Sequence, residues 1–394
     1  MQKAKKKAFG RHPERREWPG GQRRISRYEG AGWIPRSRQA LLVWMAAFLF
    51  ACPLSAQFLP ARAGYEFSFP RDHGTHDAYQ TEWWYYTGHL RTEGGKRYGF
   101  ELTFFRVGVV PPGAPQQTRW DLHNLSLAHF ALSDIDGKAF RYAEKLNRSS
   151  PFTAAASDTH LDVFNEGWRA TTLPDGSWRI NAFAGKDAIE LTLSSEKPPA
   201  IHGENGVSVK ASGEGYASHY YSMTRMAARG TVNGQSCSGL VWMDHEFGSS
   251  ALRENQRGWD WFSVQLENDI ELMIYVIRRD DGSSDVTSSG SLVIPDGTVI
   301  HLRREDLSVV PTGRWTSSKS KATYPMGWRL QVPKFGISLT LTPVLRDQEL
   351  VTRSSTQVTY WEGAVDVSGS FRNEATKGEG YVELTGYDRK FRAP

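Results

Sequence analysis

Asp244, His245 and Glu246 stand side by side, two residues after Trp242. Carboxyls and an imidazole at this density can give and take protons. On an extended strand successive side chains alternate, so Trp242, Asp244 and Glu246 share one face and Met243 and His245 the other. A carboxylic acid beside a Trp in an apolar pocket has its pKa raised and holds a proton it can donate. Aromatic faces stabilise a nearby cation by about 0.5–2 kcal/mol per ring. Together these meet the needs of water addition to a trisubstituted alkene: an acid, a sheltered tertiary cation and an activated water. The competing reading makes the triplet a polar rim joining two domains, with Asp244 and His245 bonded to loop backbone.

Glu82 lies in Glu82-Trp83-Trp84-Tyr85-Tyr86, with Trp84 and Tyr86 on its side by alternation. It is either a perturbed acid or, more simply, the partner of a buried Arg such as Arg106 or Arg278. Tyr275 shares a face with Glu271 and Ile277 and can donate a hydrogen bond into a barrel lumen. Trp83, Trp84, Tyr86, Tyr221, Trp242, Trp259 and Trp261 offer walls for an apolar ligand, although Tyr221 reads equally well as core. His73-x-x-His76, followed by His89, has the composition of zinc ligands. The pair precedes the first clear strand, and no His-Glu-x-x-His or Gly-x-Ser-x-Gly string occurs. Neither a metal nor an organic cofactor is expected, and a serine hydrolase has little support.

These residues sit on short apolar runs: Gly99-Phe-Glu-Leu-Thr-Phe-Phe-Arg106, Ala188-Ile-Glu-Leu-Thr-Leu193, Glu271-Leu-Met-Ile-Tyr-Val-Ile-Arg278 and Gly336-Ile-Ser-Leu-Thr-Leu341. Gly94-Gly95, Asp136-Gly137, Asp175-Gly176, Asp281-Gly282 and Asp296-Gly297 punctuate them as tight turns. No long 3.6-residue period appears after residue 64. The chain has 394 residues with 37 Gly, 14 Trp, 15 Tyr and 19 Phe, which suits an all-β protein of two domains.

The two halves echo one another in order. Phe100-Glu-Leu matches Ile270-Glu-Leu, Gly167-Trp-Arg matches Gly327-Trp-Arg, and Ile189-Glu-Leu-Thr-Leu matches Ile337-Ser-Leu-Thr-Leu. Tyr221 with Gly230 and Gly239 matches Trp361 with Gly369 and Gly380. A repeat this long implies two similar domains. The expected organisation is a leader over residues 1–63, one barrel over 64–252 and another over 253–394. Each meander closes into an antiparallel barrel whose lumen holds one small ligand, and a Trp of the first strand plugs the base.

Residues 1–63 carry 13 basic and 3 acidic residues, so this segment supplies +10 and the remainder is net −5 within a total of +5. A nucleic-acid partner is not expected, because the basic excess lies in the leader. The leader reads as an export signal: a basic stretch ending at Arg36 and Arg38, the apolar run from Ala40 to Ala51, and Ala61-Arg62-Ala63 as a cleavage site. A periplasmic or secreted location follows, with lipid anchoring at Cys52 as a variant. The remaining Cys237, in a stretch read as a turn, has no disulfide partner if Cys52 is removed.

Longer strings go beyond barrel grammar: Asp72-His73-Gly-Thr-His76, Thr81-Glu-Trp-Trp-Tyr-Tyr-Thr-Gly-His-Leu90, Trp242-Met-Asp-His-Glu-Phe-Gly248, Gly258-Trp-Asp-Trp-Phe262, Tyr360-Trp-Glu-Gly363 and Gly380-Tyr-Val-Glu-Leu-Thr-Gly-Tyr387. Together they resemble the AttH-type and carotenoid 1,2-hydratase-like family of secreted proteins, from about Tyr65 to Tyr387. The resemblance implies two tandem lipocalin-like β-barrels. It implies either of two functions. One is an exported carrier of an apolar, isoprenoid or other lipid ligand, working beside an inner-membrane transporter. The other is a hydratase adding water to a prenyl or carotenoid-type double bond.

Overall fold

A computed structural model describes residues 57–392, apart from 116, 117, 119, 120, 205 and 251. The basic and apolar parts of the leader, and Cys52, lie outside the described residues. Residues 57–63 are described, and they are part of the fold. Leu59 N donates to Ala78 O at 2.8 Å. Ala61 is 3% exposed, in a cluster with Tyr79, Val207, Ala217 and Phe247. A chain beginning at Gly64 would lack this packing.

Among the described residues the regular structure is β-strand and three short 3₁₀ turns. Thirteen strands between Thr81 and Gly248 form one antiparallel sheet, and ten between Gln256 and Leu384 form a second. In each, the first strand pairs with the last: Thr81–Thr92 with Gln235–Gly248, and Gln256–Leu266 with Glu374–Leu384. The sheets are thereby curled into lipocalin-like barrels, and each ladder is interrupted after its fourth strand. In the first barrel, side chains bridge that seam: Lys145 Nζ donates to Asn165 O at 3.2 Å, and Asn147 Nδ2 to Asn165 Oδ1 at 2.7 Å.

Ladder partners show the duplication and correct one landmark. Trp328 lies opposite Leu341, as Trp178 lies opposite Leu193. The counterpart of Trp328-Arg329 is therefore Trp178-Arg179, while Trp168 opens the preceding strand. A strand is identified by what it pairs with, and a tripeptide identity is too short to fix that. Gly230 and Gly369 do correspond, opposite Leu191 and Leu339. At both places a Cβ would fall 2.0–2.1 Å from a neighbouring carbonyl oxygen, so only glycine lets the strands approach. Cys237, read as part of a turn, sits within the strand Gln235–Gly248 and is buried, which pushes its thiol up to about 11.

The barrel lumens are filled by side chains, as expected for barrels of this size. The first holds Trp84, Tyr86, Phe100, Phe104, Phe130, Trp168, Trp178 and Tyr221; the second holds Phe262, Tyr324, Trp328 and Trp361. This differs from expectation in two ways: both lumens are packed with side chains instead of open as cups, and the second barrel is plugged by Trp328 and Trp361, its first-strand Trp259 and Trp261 facing outward.

The outward faces bury a third apolar cluster drawn from both barrels, including Tyr85, Tyr220, Trp242, Trp261, Met273, Tyr275 and Tyr381. Polar ties fix the docking. Glu271, fully buried on the second barrel, accepts from Lys197 Nζ at 2.7 Å and Arg225 Nε at 2.6 Å on the first. His202 bridges Ser222 Oγ at 2.6 Å and Ser291 Oγ at 2.9 Å. Breaking a buried ion pair by removing one partner strands the opposite charge and costs about 3–5 kcal/mol. Glu271→Ala is expected to lower the unfolding free energy by about that amount in urea titrations. A loss below about 1 kcal/mol, the value of an exposed pair, would show that the triad does not hold the barrels together.

Candidate active site between the barrels

The strand Thr81–Thr92 has two buried faces. Trp84 and Tyr86 point into the first barrel, while Trp83 and Tyr85 point toward the second. Its partner Gln235–Gly248 alternates likewise, so adjacent residues of Asp244-His245-Glu246 serve different sites.

His245 points inward. Its Nε2 donates to Glu82 Oε1 at 2.8 Å, and its Nδ1 accepts from Tyr221 Oη at 3.0 Å. Tyr221 Oη in turn accepts from His73 Nδ1 at 2.7 Å. This chain requires a neutral imidazole at 245, and burial supplies it by lowering His245; burial also lowers His73, to about 3. His76 differs. Burial disfavours its charge, but Glu82 and Asp72 outweigh this and raise its pKa. Its Nδ1 donates to Glu82 Oε1 at 2.7 Å and its Nε2 faces Asp72 Oδ1 at 3.3 Å. Glu82 also accepts from Arg106 Nε at 3.0 Å and from Thr75 Oγ1 and His76 N, each at 2.9 Å. Burial would raise the Glu82 carboxyl, yet His76, His245 and Arg106 hold it well below the usual range. Arg106 is thus its partner, and Arg278 pairs with Asp260 instead, at 2.8 Å. Ligating atoms of His76, Glu82 and His245 lie within 4.8 Å of one another. Each already has a partner, and Arg106 places a positive charge on the same carboxylate, which opposes a second cation. His89 is elsewhere, donating to Gly380 O at 2.9 Å. This network staples the segment around residues 72–76 onto the barrel mouth.

Asp244 points the other way, into a cavity of about 200 Å³ between the barrels. Its Oδ2 accepts from Tyr220 Oη at 2.6 Å, and its Oδ1 from Trp242 Nε1 at 2.6 Å and from Ser222 Oγ. Burial nevertheless pushes it up to about 7. Across the cavity, the second barrel presents Glu383 and Glu362, directly opposite one another on neighbouring strands. Like charges so placed cannot both ionise cheaply. Burial raises Glu383 to about 7, against the pull of Trp259 Nε1, which donates to its Oε2 at 2.7 Å. Burial and Glu383 together raise Glu362 well above the carboxylate range, although Tyr85 Oη donates to its Oε1 at 2.7 Å. Glu101, hydrogen-bonded by Thr103, is pushed by burial up to about 8. Glu246 pairs with Lys210 Nζ at 2.9 Å, and that ammonium lies 4.2 Å from the centre of the Tyr275 ring.

The sequence-derived candidates therefore divide. Asp244, Tyr275, Trp83, Trp259 and Trp261 line the cavity, and Glu82 reaches its edge. Trp242 supports Asp244 and packs on Trp261 at 6.2 Å between ring centres. Trp84, Tyr86, Tyr221 and His245 lie within the first barrel and do not face the cavity. Tyr275 faces outward, contrary to the lumen placement, and donates to Val209 O at 3.0 Å. Sequence reasoning missed Glu101, Glu362, Glu383 and Lys210. The first three carried a signal: each is a carboxyl set directly beside large apolar residues of a strand, in Phe100-Glu-Leu102, Trp361-Glu-Gly363 and Val382-Glu-Leu384. The arrangement sets carboxyls raised far above the ordinary range against aromatic walls, and so can protonate an apolar group and shelter the resulting cation.

A family model described as AttH-like matches residues 60–387. Kievitone hydratase of Fusarium solani subsp. phaseoli is 26% identical over 146 residues, 37% of this chain and 40% of that protein, so the match spans under half of that relative's length. Among solved structures, the AttH candidate NE1406 from Nitrosomonas europaea superposes with a TM-score of 0.74 at 31% identity, covering 84% of this chain and 99% of that one. Kievitone hydratase from Nectria haematococca gives a TM-score of 0.65 at 15% identity over 84% and 96% of the two chains, a likeness of fold.

The raised acids set a pH dependence. Glu101 titrates near 8 in the fold against 4.5 for an ordinary glutamate. Between those values the folded state keeps a proton that the unfolded chain has lost. Its contribution is therefore full below about 4.5 and is lost as pH rises through about 8. Glu101→Gln is expected to become more stable than the parent as pH increases, by roughly 3–5 kcal/mol above about pH 8. Denaturation midpoints measured from about pH 5 to 9 check this. A difference independent of pH would mean that Glu101 is ionised in the fold.

Proposed function

Starting from its membership of the AttH-like family, we propose that this chain is a hydratase that binds an apolar, prenyl-bearing ligand between its barrels and adds water to a trisubstituted double bond. The observation that carries the proposal is the set of carboxyls raised to neutrality or beyond inside an aromatic-walled cavity. The name of the hydratase relative supports it.

Asp244 and Glu383 both titrate near 7, and their hydrogen bonds separate their roles. Glu383 receives one bond, from Trp259, and its other oxygen takes none among the described residues. It is the proton donor to the less substituted alkene carbon. The tertiary cation then stands among Trp83, Trp259 and Trp261. Asp244, whose three donors favour its anion, accepts the proton of the attacking water. The new C–O bond forms at the tertiary carbon, and the proton passed to Asp244 balances the one Glu383 gave.

The same reading places the chain outside the cytoplasm, on the leader expected over residues 1–63. The carrier reading, in which the ligand is passed to an envelope transporter, draws on the aromatic walls alone and gives the neutral acids no task. Turnover separates the two. Prenyl- and geranyl-bearing compounds incubated in heavy-oxygen water are expected to gain one labelled water. Asp244→Asn is expected to lower that rate by about 100-fold or more while ligand affinity stays within about threefold, because the carboxylate acts in the transition state. Tight binding across the set without label in any product would leave the carrier reading standing and end the hydratase one.

A further inference from the structure

Two carboxyl oxygens of the cavity are left over by the chemistry above. Glu101 Oε2 and Glu362 Oε2 are buried and take no hydrogen bond. Their sister oxygens are occupied by Thr103 and Tyr85. The residues are 1% and 0% exposed, come from different barrels, and line the same cavity. The neighbouring hydroxyl of Tyr360 is directed elsewhere: its Oη bonds His129 Nδ1 at 2.6 Å, and His129 Nε2 is taken by Ser355 Oγ at 2.8 Å.

Buried polar atoms are nearly always paired, so two unpaired ones on side chains that line one cavity call for a ligand group. A neutral carboxylic acid offers one O–H donor and keeps acceptor capacity. A hydroxyl, being both donor and acceptor, answers two such acids at once. An ammonium carries donors only, so it would leave the O–H of each protonated acid without an acceptor.

We propose that Glu101 and Glu362 form a hydroxyl-binding subsite, which seats the alcoholic or phenolic end of the ligand whose double bond lies at Asp244 and Glu383. The ligand class is thereby narrowed from prenyl hydrocarbons to isoprenoid alcohols and prenylated phenols. The subsite rests on the ligand-binding part of the function proposed above, and it is tested by binding alone, without turnover.

Geraniol and myrcene share a ten-carbon isoprenoid skeleton, and only geraniol carries a hydroxyl. Their dissociation constants are to be measured with the full chain by tryptophan fluorescence. Geraniol is expected to bind about tenfold more tightly, from two added hydrogen bonds. Glu362→Leu and Glu101→Leu should each reduce that preference by about threefold or more and leave myrcene affinity nearly unchanged, whereas Glu362→Gln should retain most of it. Equal affinities in the parent, or a preference that survives both leucine variants, would overturn the subsite while leaving the cavity reading intact. Failure of either compound to bind would overturn both. Geranylamine binding more tightly than geraniol would reassign the pair to a cation and likewise overturn the proposal.

Discussion

The central strands at the junction of the two barrels, Thr81–Thr92 and the later part of Gln235–Gly248, are buried on both faces, and most of the structure follows from that constraint. Side chains alternate, so one face of Thr81–Thr92 and Gln235–Gly248 fills a lumen while the other meets the neighbouring barrel. With the lumens packed by tryptophan and tyrosine, the cavity that gathers the acids lies where the two barrels touch. That position draws the cavity walls from both halves of the duplicated chain. It also removes water from whatever charged groups the outward faces carry.

Two electrostatic regimes then arise one residue apart. Behind the strand, Glu82 is surrounded by His76, His245 and Arg106 and is held as an anion. In front of it, Asp244 and its companions have too few cations, and Lys210 is engaged by Glu246. Burial without compensation keeps protons on acids; burial with compensation strips them. The first arrangement binds a segment of chain to the barrel mouth, and the second holds raised carboxyls against an aromatic wall.

The alternation on the strand carrying Asp244 was legible in the sequence, as were the β-rich duplicated architecture and the Glu82–Arg106 pair among its alternatives. Which of two buried faces is the inside was not legible. A run such as Glu82-Trp83-Trp84-Tyr85-Tyr86 is apolar on both sides, so period-2 reasoning sorts its residues into two sets without saying which set meets a ligand. The lumen placement of Tyr275 fell to that ambiguity. Glu362 and Glu383 were hidden for another reason. Their significance lies in facing each other across two strands and Asp244 across a domain junction. Such relations depend on register and docking, which no local string encodes. The pairing of Trp168 with Trp328 failed similarly, since only the ladder shows that Trp178 is the counterpart.

Placing the acids on outward faces ties their chemistry to the order of folding. The first barrel closes only when Gln235–Gly248 reaches back to Thr81–Thr92, a pairing between strands distant in the chain. The second must close in turn before the two can meet. Such long-range closures are slow steps. Until they are complete, Glu101, Asp244 and Glu383 are solvated, and solvated carboxyls are ordinary anions near neutral pH. Half a chain, or a whole one with its barrels undocked, thus holds these residues only as ordinary carboxylates. On the hydratase reading proposed above, assembly is itself the activation step.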